Sequence, residues 1–443
     1  MTTGPVSALR GRPWKRAALW LLFLAPFFYV TYGGANWLAS MRTEVGSFVY
    51  DWESQIPFLG WTIFPYWSIN AFYGLSLFVC STREELDAHA RRLLTAQIVA
   101  VVFFIILPLR FTFEKPELPG GIAGFLFEAL GAFDKPFNQA PSLHVALLVI
   151  LWPLYARHVP RWARIPLHLW FALILVSVLT TYQHHFIDIP TGALLGLFCL
   201  WLWPDGSTSP FAGASFAPDR RRLVLAFRYA AGAVALAVLA VALGGWGLLF
   251  FWPALSLGLV AANYAFLGAD GFQKRPDGSM SLASQLILAP YLLGAFANSR
   301  LWTRNEPDVA EITDGVYIGR MPARLFQGQP GIAFATVVDL SAELPNLGAI
   351  ARVYALPVLD LTTPSASILH AAAERIERAR SDGPVLVCCA LGYSRSAAAV
   401  ACWALRSGRY AGLDAALDAV RAARPRIVLD EDARAAIVAA ARS

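Results

Sequence analysis

Cys389 and Arg395 stand six positions apart in the stretch VLVCCALGYSRSAAAVA, Val385 to Ala401. The loop between them, Ala390, Leu391, Gly392, Tyr393 and Ser394, is short enough for its backbone N–H groups to converge on one anion. Apolar β-formers precede the cysteine and an alanine-rich helix pattern follows the arginine, so the positive end of a helix points at the same place. A thiolate is also an anion, and such a loop favours the ionised, nucleophilic form of Cys389. Arg395 offers a planar fork to two oxygens of a phosphoryl group, and Ser396 can stabilise the thiolate as it departs. A buried cysteine with a chance arginine nearby would not call for the strand, the glycine and the helix around it.

A second set of polar residues lies among apolar ones. NQAPSLHVALL places His144 at the mouth of one apolar run, and TTYQHHFIDIPTG places His184 and Asp188 at spacing i, i+4, hence on one helix face. An imidazole held by a carboxylate is oriented and made more basic, which suits a nucleophile toward phosphorus. A second histidine across the gap can protonate the departing alkoxide. A lone interfacial histidine is more often a snorkelling or satisfied core group. Three such residues at the ends of apolar runs argue for a site.

The elements that carry these residues follow from composition. With 57% hydrophobic, 13% aromatic and only 15% charged residues among 443, the chain is expected to be largely membrane-embedded. A basic head (Arg10, Arg12, Lys15, Arg16) precedes an apolar run from Ala17 to about Ala39, too long for a signal peptide's core. Further spans are expected near 58–80, 93–113, 141–157, 165–183, 186–204, 223–243 and 247–267, eight in all. Arg83, Arg91, Arg92, Arg157, Arg161, Arg164, Arg220, Arg221, Arg222, Lys274 and Arg275 fall in loops on one side, against Arg42, Lys115 and Lys135 on the other. The positive-inside rule makes the N-terminus cytoplasmic, and with eight spans the C-terminal domain too. Leu282 to Ala297 is short, contains Pro290 and has basic residues at both ends, so it is expected to be interfacial or re-entrant. PDGSTSPFAGASFAPD (204–219) is a linker between two membrane bundles. The net charge of +6 belongs to the basic loops and is no nucleic-acid footprint. Five scattered cysteines form no CxxC pair or disulfide framework, and a nucleophilic thiolate needs a reducing compartment.

CALGYSRSA resembles the signature loop of dual-specificity phosphatases, a branch of the protein tyrosine phosphatase superfamily, and the resemblance runs from about Pro307 to the C-terminus. EITDGVYIGRMPA resembles the family's opening strand and turn, TVVDLS its next core strand, and YALPVLDLTTPS the strand that ends in the acid loop. The resemblance implies that an aspartate on that loop protonates the leaving oxygen and then activates water. By position this is Asp360, with Asp339 also available. Cys388 stands where the family usually has histidine, and a reversible Cys388–Cys389 oxidation would form only a strained bridge.

Residues of about 15–205 resemble the lipid-phosphate phosphatase (type 2 phosphatidic acid phosphatase) superfamily. PSLH, Pro141 to His144, matches its P-S-G-H motif with Leu143 in place of glycine, and His184 and Asp188 match the end of S-R-x5-H-x3-D with Val178 in place of arginine. Such substitutions resemble the inositol-phosphorylceramide and sphingomyelin synthase branch, which transfers phospho-headgroups between lipids. The resemblance implies that His184 takes the phosphoryl group, Asp188 orients it and His144 is the general acid, while His185 is left without a role. In LPLRFTFEKP, Arg110 and Lys115 are candidates for phosphate binding.

The expected fold is multi-domain: an all-α polytopic membrane bundle followed by an α/β protein tyrosine phosphatase-like domain. The expected segments are 1–205, a lipid-phosphate phosphatase-like domain; 206–300, a linker with two further spans and an interfacial helix; and 301–443, the phosphatase domain. Strands are expected near 316–318, 335–339, 353–357 and 384–388, and helices near 366–380, 396–407, 412–422 and 431–441. The expected protein is a phosphatase in a bacterial inner membrane, with a cytoplasmic phosphocysteine site and a histidine site on the outer face. Membrane lipids are its expected substrates, and neither a cofactor, a metal nor a nucleic-acid partner is expected. The cysteine loop carries no lysine or additional arginine, which fits a monophosphate. Two alternatives stay open: the membrane half as a headgroup transferase, and the C-terminal domain as a protein Tyr/Ser/Thr phosphatase or a phosphate sensor.

Overall fold

The computed structural model describes residues 11–116, 121–217, 219–322, 332–346 and 352–442. Arg10 of the basic head and position 218 of the linker lie outside the described residues. The chain forms two compact units, Met1–Ser209 with Leu239–Phe250, and Pro210–Val238 with Phe251–Ser443.

The first unit is helical. It contains α1 (Trp14–Ser40), α2 (Ile63–Val79), α3 (Arg83–Ile106), α4 (Ile122–Phe133), α5 (Leu143–His158), α6 (Arg164–Thr180) and α7 (Asp188–Leu202). They share an apolar interior, and apolar side chains also cover much of the outside. α1 buries Ala17, Leu24, Tyr32, Ala35 and Asn36 while Leu19, Leu22, Tyr29 and Val30 point outward. Five helical stretches are long and apolar enough to cross a membrane: Trp14–Ser40, Arg83–Ile106, Arg161–Thr180, Arg220–Leu243 and Gly245–Phe272. Three expected spans fall short of the length assigned to them, because α2, α5 and α7 have 17, 16 and 15 residues. At 1.5 Å per residue α5 is about 24 Å long, against a hydrocarbon core of about 30 Å. Their polar starts cut two of them. Ser142 caps α5 by accepting from Val145 N–H at 3.3 Å, and the turn carrying His184 precedes α7.

α5 and α7 touch through two glycines. A Cβ at Gly192 would lie 2.4 Å from the Ser142 carbonyl oxygen, and one at Gly196 would lie 2.8 Å from that of Ala146. Only glycine permits this approach, and it brings the two helix starts together.

The second unit joins helices to a sheet. α8 (Arg220–Leu243) contributes its residues up to Val238, followed by α9 (Phe251–Ala262), a π-turn over Asn263–Leu267, α10 (Leu282–Ile287) and α11 (Ala289–Trp302). The stretch 282–297 is broken at Leu288, so neither α10 nor α11 is long enough to cross a membrane. Next come β1 (Val309–Thr313), β2 (Val316–Arg320), β3 (Thr336–Ser341), β4 (Arg352–Val358), α12 (Ala366–Ala379), β5 (Val385–Cys389), α13 (Arg395–Arg406), α14 (Leu413–Ala423) and α15 (Glu431–Arg442).

The sheet order is β1-β2-β5-β3-β4, with β5 parallel to both β2 and β3. Strand β5 is therefore central and buried on both faces, which explains its unbroken apolar run. β1 is an addition to the expected strands. It pairs antiparallel with β2 across Asp314 and Gly315, both at positive φ. α13 lies in the core, with every residue from Arg395 to Ala404 buried, and its alanines allow that close packing.

Candidate active site

Strand β5 ends at Cys389 and α13 begins at Arg395, so the loop between them closes at the N-terminus of a buried helix. The loop carbonyls are held from outside. Met321 N–H donates to Cys389 O at 2.8 Å, Ser299 Oγ to Ala390 O at 2.5 Å, Arg424 Nη2 to Leu391 O at 2.9 Å and Val428 N–H to Tyr393 O at 2.9 Å. With carbonyls turned outward, the N–H groups are left for the centre. Gly392 N–H lies 3.3 Å from Cys389 Sγ, and Ser396 Oγ is also 3.3 Å from it. Gly392 has φ +80°, and a Cβ there would come within 2.6 Å of the Gly319 backbone. Cys388 belongs to the opposite face of β5, in a separate apolar cluster, so its thiol points away from Cys389. Burial, reinforced by Asp339, pushes the Cys388 thiol well up, away from the reactive range.

Arg395 is almost fully buried, and a carboxylate absent from the sequence-based candidates holds it. Glu343 takes Nη1 at 2.8 Å and Nη2 at 2.6 Å, a bidentate pair, while Val358 O accepts from Nη1 at 2.7 Å. Burial alone would raise the Glu343 carboxyl, but Arg395 wins and holds it below the usual range. Asp360 Oδ1 accepts from the same Nη2 at 2.8 Å. Burial pushes the Asp360 carboxyl up against the pull of Arg395, and the negative charge of Glu343 adds to the rise. The other acidic candidate, Asp339, is elsewhere. Its side chain is fully buried, 2.5 Å from Lys274 Nζ and hydrogen-bonded by Ser341 N–H at 2.9 Å. Thus Ser396 adjoins Cys389 at the start of α13, Asp360 adjoins Arg395 there, and Asp339 is taken up by Lys274 instead. Glu343 lies just past β3 and belongs to none of the motifs quoted from the sequence.

Residues 316–442 match the sequence model of the dual-specificity phosphatase catalytic domain. This stretch is a dual-specificity phosphatase domain. As such it is a phosphoric monoester hydrolase. No curated protein matches the chain. Among solved structures, it is similar to Tk-PTP in the active form, at 27% identity over 31% of this chain and 97% of that one, with a TM-score of 0.27. It is also similar to human DUSP28 (20% identity, 31% and 95%, TM-score 0.29) and to PTPMT1 in complex with PI(5)P (18% identity, 31% and 96%, TM-score 0.27).

Apart from the phosphatase domain, the helical unit brings its own candidates together. His184 Nδ1 lies 3.1 Å from Asp188 Oδ2, and its Nε2 lies 3.1 Å from Ser142 Oγ. Asp188 Oδ2 also accepts from His185 N–H at 3.1 Å. The ring of His144 stacks on Tyr66 with centroids 4.1 Å apart, and its Nε2 has no hydrogen-bond partner among the described residues. His185 is engaged differently, between Glu53 at 3.0 Å and Thr112 at 3.2 Å. Glu53 is buried and also accepts from the Tyr50 and Phe186 N–H groups, so it fastens the histidine turn. Arg110 is exposed, and Lys115 Nζ lies 5.8 Å from the centre of the Phe127 ring. Neither makes a hydrogen bond or ion pair with the histidines among the described residues.

Proposed function

We propose that the chain is a membrane-bound phosphatase whose dual-specificity phosphatase domain hydrolyses phosphate monoesters, lipids foremost, through a phosphocysteine. The observation that supports this is the shared Nη2 of Arg395, which donates to both Asp360 and Glu343 at the start of the helix that follows the Cys389 loop. An incoming phosphoryl group takes Arg395 from Asp360 and settles among the loop N–H groups. The Cys389 thiolate attacks phosphorus, the P–O bond to the leaving group breaks, and Asp360 gives its proton to the departing oxygen. Water then attacks the phosphocysteine, with Asp360 taking the proton. The S–P bond breaks, inorganic phosphate leaves, and Ser396 donates to the returning thiolate. Five stretches with the length and hydropathy of membrane spans support a lipid substrate, since attachment raises its local concentration.

The helical unit supports a second phosphorus chemistry, in which residues 15–205 act as a lipid-phosphate phosphatase-like domain on the outer face. His184, held by Asp188, attacks a phosphoryl group and His144 protonates the leaving alkoxide. The contacts of the two ring nitrogens of His184, with Asp188 and with Ser142, favour this reading. Water as acceptor makes it a hydrolase, and a lipid hydroxyl makes it a headgroup transferase.

Detergent-purified full-length protein given a labelled phospholipid panel, with and without ceramide or diacylglycerol, tests both. Phosphate release lost only in Cys389→Ser places hydrolysis in the phosphatase domain. A new phospholipid lost only in His184→Ala makes the helical unit a transferase. Release that falls in His184→Ala, with no transfer product, removes the transferase reading.

A further inference from the structure

Three side chains that precede the phosphatase domain in sequence reach loops around its pocket, and all belong to the same compact unit. Lys274 has a fully buried side chain. Besides Asp339, its Nζ lies 2.6 Å from Ser341 O, 3.0 Å from Ser341 Oγ and 2.6 Å from Leu344 O, so its three N–H groups are all engaged. Those carbonyls bracket Glu343, the carboxylate that grips Arg395. Tyr264, in the π-turn after α9, donates its hydroxyl to Asp360 O at 2.9 Å. Ser299, in α11, donates to Ala390 O in the cysteine loop at 2.5 Å.

The turn around Lys274 is itself seated on the sheet. Ala355 N–H, on edge strand β4, donates to Pro276 O at 3.0 Å, and Asn346 N–H donates to Gly278 O at 2.9 Å. Gly278 has φ +79°, and a Cβ there would come within 3.0 Å of Asn346 and Val353. These two backbone hydrogen bonds tie the turn to the sheet edge at Ala355 and to the segment after β3, and the lysine side chain between them is buried.

We propose that the segment 264–300 is a working part of the phosphatase site. Lys274 is the positioning residue for the Glu343–Arg395 pair, Tyr264 for the acid Asp360 and Ser299 for the cysteine loop. The inference rests on the roles of Cys389, Arg395 and Asp360 given above. Each contact fixes one loop that must hold its catalytic group to a fraction of an ångström, since a misplacement of about 1 Å can cost about 10²-fold in rate. A domain cut at residue 301 therefore lacks three struts of its own pocket.

The test uses full-length protein and two phosphate esters, an activated aryl phosphate and an alkyl phosphate with a poor leaving group. Only the second needs its leaving oxygen protonated. Tyr264→Phe removes one hydroxyl and is expected to lower kcat about tenfold on the alkyl ester and less than about twofold on the aryl ester. Lys274→Met combined with Asp339→Leu removes the buried pair together, and is expected to raise KM and the inhibition constant of inorganic phosphate about tenfold. Lys274→Arg, which keeps the charge, should stay closer to wild type in both. Equal effects of Tyr264→Phe on the two esters, or unchanged phosphate inhibition in the double variant, overturn the proposal. Should the double variant not fold, Tyr264→Phe alone decides. Activity surviving in Cys389→Ser refutes the phosphocysteine reading itself, whatever Tyr264→Phe does.

Discussion

Asp360 is pulled both ways: desolvation and Glu343 favour its protonated form, and Arg395 favours the carboxylate. The net direction is upward, which suits a group that must hold a proton before the P–O bond breaks. A general acid works only while protonated, so kcat on a poor leaving group should fall as pH rises through the elevated Asp360 value. Asp360→Asn should abolish that fall and lower kcat about 10²- to 10³-fold. A pH–rate profile on the alkyl ester checks both. The loop after β4 was legible as the acid loop and Asp360 as its acid by position, with Asp339 also available in the chain. Lys274, 65 positions before Asp339, takes that carboxylate out of play, and no local pattern reports such a partner.

At the scale of elements, α5 and α7 are held together by Gly192 and Gly196, and their contact line ends at Ser142 and His184. Replacing Gly196 by leucine puts a side chain where the Val149 Cβ already lies 2.7 Å from an added Cβ, and overpacking of this kind costs about 1–3 kcal/mol. Gly196→Leu should lower the thermal midpoint of the helical unit and abolish any product that depends on His184. Aryl phosphate hydrolysis by the phosphatase domain should persist. Tryptophan fluorescence melts and the two product assays separate these outcomes. Apolar runs and alternation made most helices and four of five strands readable. Their ends were less so, because α5 and α7 begin at Ser142 and Asp188, whose shared partner His184 lies in a turn.

For the whole molecule, the outward-facing Leu22, Val30, Phe227, Val234 and Val241 form surfaces that water would not stabilise. The proposed set of eight crossings, with the basic loops on one side, would put both termini in the cytoplasm. A fluorescent protein fused after Ser443 should therefore glow, and a secreted-type alkaline phosphatase fused there should stay inactive. The reverse pair of results would mean an odd number of crossings, with 282–297 as the first segment to suspect.

The sequence by itself determined what local spacing encodes. The loop from Cys389 to Arg395, the i, i+4 pair of His184 and Asp188 and the greasy composition all depend on neighbours a few positions apart. The tertiary structure decided which distant groups complete them. Glu343 reaches Arg395 across 52 positions, Lys274 reaches Asp339 across 65, and Glu53 reaches His185 across 132. A buried charge needs a partner, but desolvation sets only that need and never the partner's place in the chain. Chain folding alone supplies that place.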